Sequence, residues 1–202
     1  MNRNDRLTAA HWAQTILTLQ PVILDTETTG TSIDDEIVQI ALIDHEGNPL
    51  LDTLVKPVKR IPLEVTQIHG IDNAQVQDAP AWDDIAPDVI KLLAGQSLII
   101  YNADFDLRLM RQSCRSKSMR TMFTDLDKYM PVFCAMLKYA QFWGDWNDFR
   151  QDYRWQGLGT ACVQQHIHVP DARAHSALGD CLRTISLVKA MAAYAEKEEV
   201  QS

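Results

Sequence analysis

Apolar positions along this chain change their period several times, and the changes mark out its elements. From Leu7 to Leu19 they fall at 7, 9, 12, 13, 16, 17 and 19, close to helical spacing. A helix is expected there, capped by Asp5 or Thr8 and ended before Pro21. Residues 21 to 27 then read as a strand, apolar through Val22-Ile23-Leu24 and closing on Asp25-Thr26-Glu27. Glu36 to Asp44 is rich in β-branched residues and reads as a second strand. His45-Glu46-Gly47-Asn48 is a turn, and Pro49 to Val58 returns as a third strand. The three strands are expected to form an antiparallel meander.

Lys59 to Asp78 reads as a polar connection. Trp82, Ile85, Ala86, Val89, Ile90, Leu92 and Leu93 follow helical spacing. Pro87 predicts that this helix starts late or kinks, and Gly95 closes it. Ser97 to Asn102 is a short buried strand, followed by a helix through Phe105, Leu107, Leu109, Met110 and Cys114. Residues 115 to 131 support no assignment. Val132 to Leu137 is expected as a fifth strand, 141 to 153 as loop or short helix, and Gly157 to Gln165 as a helix. Ala174 to Tyr194 has the stripe of a long amphipathic helix, and the charged tail 196–202 is expected to fray. The sum is an α/β chain with a mixed five-stranded sheet flanked by helices. It is read as one domain over 1–202, with residues 1–20 as an N-terminal helical extension.

Composition narrows the class. The chain has 202 residues, 46% apolar and 23% charged, enough to bury a sizeable core. No apolar run approaches the roughly 20 residues of a membrane span, and Met1 to Arg6 leads into no apolar signal core. Cys114, Cys134, Cys162 and Cys181 form no CxxC pair and read as reduced thiols. A cytoplasmic setting with no membrane partner is expected. The net charge of −8 counts against tight nonspecific binding of long duplex. Acids gathered at a metal site would account for part of that excess.

Asp25 and Glu27 carry the first chemical signal. Side chains two apart on a strand leave the same face, and neighbouring carboxylates repel unless a cation lies between them. A hard cation such as Mg²⁺ or Mn²⁺ suits oxygen ligands. Alone, such a pair is more often a solvated strand edge. Two further clusters stand in the chain: Asn102-Ala103-Asp104-Phe105-Asp106 at a strand–helix junction, and His175 with Asp180 at the opening of the last helix. Asp106 taken singly would be a helix N-terminal acid, and Asp180 with Arg183 a helix-surface pair.

Asp25-Thr26-Glu27-Thr28-Thr29-Gly30, Asn102 to Asp106, and His175 with Asp180 together resemble the three motifs of the DEDDh (DnaQ-like) 3′→5′ exonucleases. This is the family of the proofreading subunit of bacterial DNA polymerase III. Ile68-His69-Gly70-Ile71 resembles a fourth feature of that family. The resemblance spans about residues 20 to 195 and implies a ribonuclease H-like fold. It implies two divalent cations held by Asp25, Glu27, Asp180 and Asp106, with Asp25 bridging, and His175 as general base. Thr28, Gly30, Ile68, His69 and Asn102 are the implied substrate contacts. Asp106 is preferred to Asp104 because the family motif ends in Phe-Asp. One departure is Tyr101, where many members carry His.

The expected reaction is hydrolysis at the 3′ end of single-stranded or frayed DNA, releasing nucleoside 5′-monophosphates. RNA ends are the alternative substrate, and a non-catalytic nucleic-acid- or polymerase-binding module is the alternative class. A homodimer or a polymerase partner is compatible with the resemblance. Because Asp180 and His175 are five apart, they would diverge on one helix at about 100° per residue. His175 is therefore expected before that helix or in its first turn. The aromatic run Phe142, Trp143, Trp146, Phe149, Tyr153 and Trp155 is expected to be mostly core, with base stacking as the alternative. Arg108, Arg111, Arg115, Lys117 and Arg120 are either a solvated helix face or a track for a phosphate backbone.

Overall fold

The computed structural model describes residues 3–170 and 175–201. Its centre is a five-stranded sheet in the order β3-β2-β1-β4-β5. β1 (Val22–Thr28), β2 (Ile37–Ile43) and β3 (Pro49–Leu54) form the expected antiparallel meander. β4 (Leu98–Ile100) pairs in parallel with β1, and β5 (Val132–Cys134) in parallel with β4. The sheet is therefore mixed, and β1 lies at its middle. The C-terminal ends of β1, β4 and β5 share one edge.

Helices cover both faces. On one face, α1 (Arg3–Thr18), α7 (Ala135–Trp143) and α9 (Ala177–Gln201) close a core around Ile23, Ile43 and Ile99. On the other, α3 (Trp82–Leu93), α4 (Ala103–Ser113) and α5 (Lys117–Thr124) pack on Leu24, Leu42, Leu98 and Ile100. Odd-numbered residues of β1 thus face α9 and even-numbered ones face α4, as a period of two requires. A smaller apolar cluster of Val38, Ile61, Ile71 and Val76 lies beside α2 (Leu63–His69).

Several sequence expectations are corrected. The connection from Lys59 contains α2, and β3 stops at Leu54 rather than Val58. α3 begins at Trp82 and runs through Pro87. Burial of Trp82, Ala86, Val89 and Leu93 holds one face of it while the proline omits a single N–H. Residues 115–131 hold α5 and α6 (Leu126–Tyr129). β5 is only three residues long and passes straight into α7. Beyond α7 a short hairpin, β6 (Trp146–Asn147) and β7 (Asp152–Tyr153), stands where a loop or helix was expected. α8 (Leu158–Gln164) follows.

α1 is part of the core rather than an extension, since Ala9, Ala10, Ala13 and Ile16 are buried against α9. The tail does not fray at Glu196, because α9 continues to Gln201 and Arg3 of α1 pairs with Glu198. The aromatic run is not mostly core. Phe142 is buried and Trp143 partly so, but Trp146, Trp155 and Phe149 are 42%, 61% and 96% exposed.

Candidate active site

β1 delivers side chains to both faces of the sheet at its C-terminal end. Asp25 and Glu27 leave on the α9 face, where Asp180 of α9 meets them. Carboxylate oxygens of the three lie within 4.8 Å of one another, a separation that a shared cation can bridge. Thr26 leaves on the α4 face and donates a 2.7 Å hydrogen bond to Asp106 Oδ1. Asp106 is 3% exposed, so α4 brings a nearly dry carboxylate to the other side of the same strand end. The structure brings Asp25, Glu27 and Asp180 together and holds Asp106 beside them, tied to Thr26.

The charges in this cluster are strained by one another. Burial pushes the Asp25 carboxyl well above the ordinary range, and Asp106, Asp180 and Glu27 push it further. Burial raises Asp106 to about 7, against the stabilising hydrogen bond from Thr26. Burial also raises Asp180, offset by Arg183 and His175. The Arg183 guanidinium lies 2.9 Å from Asp180 Oδ1 and is itself largely buried. Crowded, half-dry carboxylates of this kind fit divalent cations, which remove the repulsion that burial intensifies.

α9 is seated with care. Cys181 Sγ contacts the carbonyls of Ile23 and Ala41 from the neighbouring position. Gln39, which pairs with Glu27 across the β1–β2 ladder, accepts the Ala177 N–H at the start of the helix. Ser176 caps the first turn by accepting from Gly179 N–H. His175 lies in the turn just before α9, as expected from its spacing to Asp180. It is exposed and in a left-handed conformation, φ 56°, and its backbone N–H donates to the Asp180 carboxylate.

The segment after β1 is built as a rigid bend. Asp35, 9% exposed, accepts from the Thr29 hydroxyl and the Ser32 N–H, and Lys59 lies 3.6 Å from it. A β-carbon on Gly30, whose φ is 156°, would come within 2.5 Å of Asp35 Oδ2. Arg108 and Gln112 of α4 donate to the carbonyls of Thr31, Ser32 and Asp35. The Thr28 hydroxyl donates to the Gly30 carbonyl.

His69 is 2% exposed. Its Nδ1 accepts from Ile71 N–H at 3.0 Å, which leaves the proton on Nε2, 3.2 Å from the Thr28 carbonyl. Gly70 turns the chain behind it in the left-handed region. Ile68 is 56% exposed. Asn102 heads α4 with no side-chain cap bond, and Asp104, one turn from Arg108, is exposed. Sequence reasoning missed Thr26 and Asp35 as partners of the site, while the Asp180–Arg183 pair it named is present but largely buried rather than on the helix surface. For Thr26 a signal existed, since a residue between two acids on a strand must face the other way.

The family described as Exonuclease (RNase_T) matches residues 22–188, which span β1, α4 and the first part of α9. The chain belongs to this exonuclease family. This exonuclease is 40% identical over 171 residues to the uncharacterized exonuclease CP81 of Escherichia phage 186, covering 85% of this chain and 87% of the phage protein. It is 32% identical over 170 residues to a DNA polymerase III subunit epsilon-like protein of Rhodobacter capsulatus. That match covers 81% of this chain but only 22% of the relative. Among solved structures, Exonuclease X in complex with 5′ overhanging duplex DNA superposes with a TM-score of 0.59 and 26% identity. The match covers 85% of this exonuclease and 91% of Exonuclease X. The expected DnaQ-like family and ribonuclease H-like α/β fold are borne out. The acidic cluster is of the kind that serves this family's two divalent cations. Among the described residues no helix is long and apolar enough to cross a membrane.

Proposed function

We propose that this exonuclease removes nucleoside 5′-monophosphates from the 3′ ends of single-stranded or frayed DNA. The observation that carries the reading is the convergence of Asp25, Glu27 and Asp180 within 4.8 Å. It lies at the sheet edge where β1, β4 and β5 end, and the carboxyl edge of parallel strands is the usual place for ligands. A divalent cation such as Mg²⁺ or Mn²⁺, when bound there, would supply a lowered pKa for the attacking water and charge to offset that on the departing 3′ oxygen.

The chain's own groups do the rest. Asp25, Glu27 and Asp180 would hold the cations, and Asp106 would complete the set from the α4 face. His175, in its exposed turn before α9, accepts the proton of the attacking water as general base. Arg183 fixes the Asp180 carboxylate. His69 holds the Thr28 carbonyl and so the end of β1, while exposed Ile68 faces the terminal nucleotide. Thr28 and Gly30 present backbone to it, and Asn102 approaches from the start of α4. The relatives named as polymerase III subunits support a setting beside a polymerase. The four free thiols support a reducing, cytoplasmic one.

The test uses 5′-labelled strands of one sequence as single-stranded DNA, single-stranded RNA and a duplex with a recessed 3′ end. A ladder shortening from the 3′ end is expected with Mg²⁺ or Mn²⁺. Chelator and Asp25→Ala should each abolish it, and DNA should be the faster strand. Faster cleavage of RNA would reverse the substrate class. Binding without cleavage would replace the enzyme reading with a binding module.

A further inference from the structure

Trp155 is 61% exposed, yet the chain on both sides of it is pinned, Arg154 N–H donating to the Asp145 carbonyl at 2.8 Å just before it. Two residues before it, Tyr153 donates its hydroxyl to Asp5 Oδ2 at 2.5 Å. One residue after it, the Gln156 carbonyl accepts from the Tyr101 hydroxyl at 2.6 Å. The Gln156 side chain is held as well, its Oε1 accepting from Gln164 at 2.9 Å. A large aromatic ring left in water on a fixed backbone is unusual for a loop whose only task is connection. Exposing it forfeits burial that Trp favours.

The ring lines an open groove of about 340 Å³, within the range of small-ligand sites. Its other walls include Phe105 and Arg108 of α4, Asn102 at the head of that helix, and Leu137 of α7. The Arg108 guanidinium lies 5.2 Å from the centre of the Phe105 ring. The groove opens at the C-terminal ends of β4 and β5, on the same sheet edge as the acidic cluster at the end of β1. Two strand spacings separate β5 from β1, about 10 Å. Two aromatic faces with a nearby cation suit a flat, electron-rich ring, and every nucleobase offers such a face.

We infer that the Trp155 groove is a nucleobase subsite that grips a base upstream of the cleaved bond, within two nucleotides of it. The inference rests on the proposed exonuclease reading and adds to it a residue outside all three acidic motifs. Tyr101 acquires a task here: its hydroxyl reaches Gln156 and sets Trp155 at the groove. Trp155 is a positioning residue, touching substrate away from the reacting atoms.

The test compares wild type, Trp155→Ala, Trp155→Phe and Tyr101→Phe. The substrates are a single-stranded DNA, three strands each abasic at one of the last three 3′ positions, and thymidine 5′-p-nitrophenyl phosphate, which has no upstream base. Trp155→Ala should raise KM on the intact strand about ten- to a hundredfold and leave kcat near wild type. Trp155→Phe should restore most of the loss, and Tyr101→Phe should reproduce a smaller part of it. Hydrolysis of the nitrophenyl ester should not change. At one abasic position, wild type should already show the raised KM, and Trp155→Ala should add nothing to it. Equal KM for Trp155→Ala and wild type on the intact strand overturns the inference, as does simple additivity at all three abasic positions. Failure of wild type to shorten any strand would sink the exonuclease reading instead.

Discussion

Thr26 and Asp106 are joined by a 2.7 Å hydrogen bond on the face of β1 opposite to Asp25 and Glu27. The bond explains why three carboxylates cluster while the fourth stands beside them. It also separates Asp106 from its neighbour Asp104, which is exposed in the same first turn of α4. Asp106→Ala should therefore cost far more activity than Asp104→Ala. Thr26→Val removes a hydrogen bond to a buried acid, worth about 1.5–3 kcal/mol, and should lower kcat while Thr26→Ser keeps most of it. Steady-state rates on a labelled strand decide this. An Asp104→Ala variant that loses more than Asp106→Ala would mean that the other aspartate serves the site.

Burial of Asp106 and Asp25 makes the metal-free protein sensitive to pH in a direction that can be stated. Both carboxyls sit above the ordinary range, Asp106 at about 7. In the window between the ordinary value near 3.9 and about 7, the folded protein binds protons that the unfolded chain does not. Stability then rises as pH falls through that window. The chelator-treated protein should melt at a higher temperature at pH 5.5 than at pH 8. Mg²⁺ should raise the pH 8 value most, because it binds the folded state alone. Asp106→Asn should flatten the pH slope, and a slope of the opposite sign in the chelated protein would contradict the crowding of these acids.

What the sequence made legible follows from how local each signal is. β1 could be read because an apolar run ends abruptly in Asp25 and Glu27, and the same-face argument needs only a period of two. The turn at His175 followed from its five-residue spacing to Asp180. By contrast, β5 and α7 merge because Cys134 passes into Ala135 with no turn residue between them. α5 and α6 are only eight and four residues long, so the helical spacing of Met119, Met122, Phe123 and Leu126 is split across two elements and no single stretch shows a full period. That Asp106 would meet Thr26 rather than the other acids depended on which helix covers which face, a fact of topology that no local pattern contains. Trp155 looked like core because composition cannot tell a buried ring from one held out in a groove.

His175 supplies a third prediction. It sits in a left-handed turn, not on the face of α9, and it is exposed. Its loss should leave folding intact. His175→Ala should lower kcat about 10²–10⁴-fold with KM and melting temperature near wild type. A kcat within twofold of wild type would remove His175 from the role of base and leave proton transfer to solvent.

Gly30 gives the last prediction, because its constraint is steric and can be separated from charge. A β-carbon there would lie within 2.5 Å of Asp35 Oδ2, on a backbone with φ of 156°. Asp35 cannot easily retreat. The Thr29 hydroxyl, the Ser32 N–H and Lys59 hold it from three sides, and Arg108 and Gln112 hold the surrounding carbonyls. Gly30→Ala should therefore cost stability by about 1–3 kcal/mol and displace the bend that follows Glu27. Activity should fall with it. Adding Asp35→Ala to Gly30→Ala removes the clashing oxygen, so the double variant should lose less than the sum of the two single changes, since residues in contact do not add. Chemical denaturation of the four proteins measures that coupling. Strict additivity would mean that the bend is held by something other than the contact between Gly30 and Asp35.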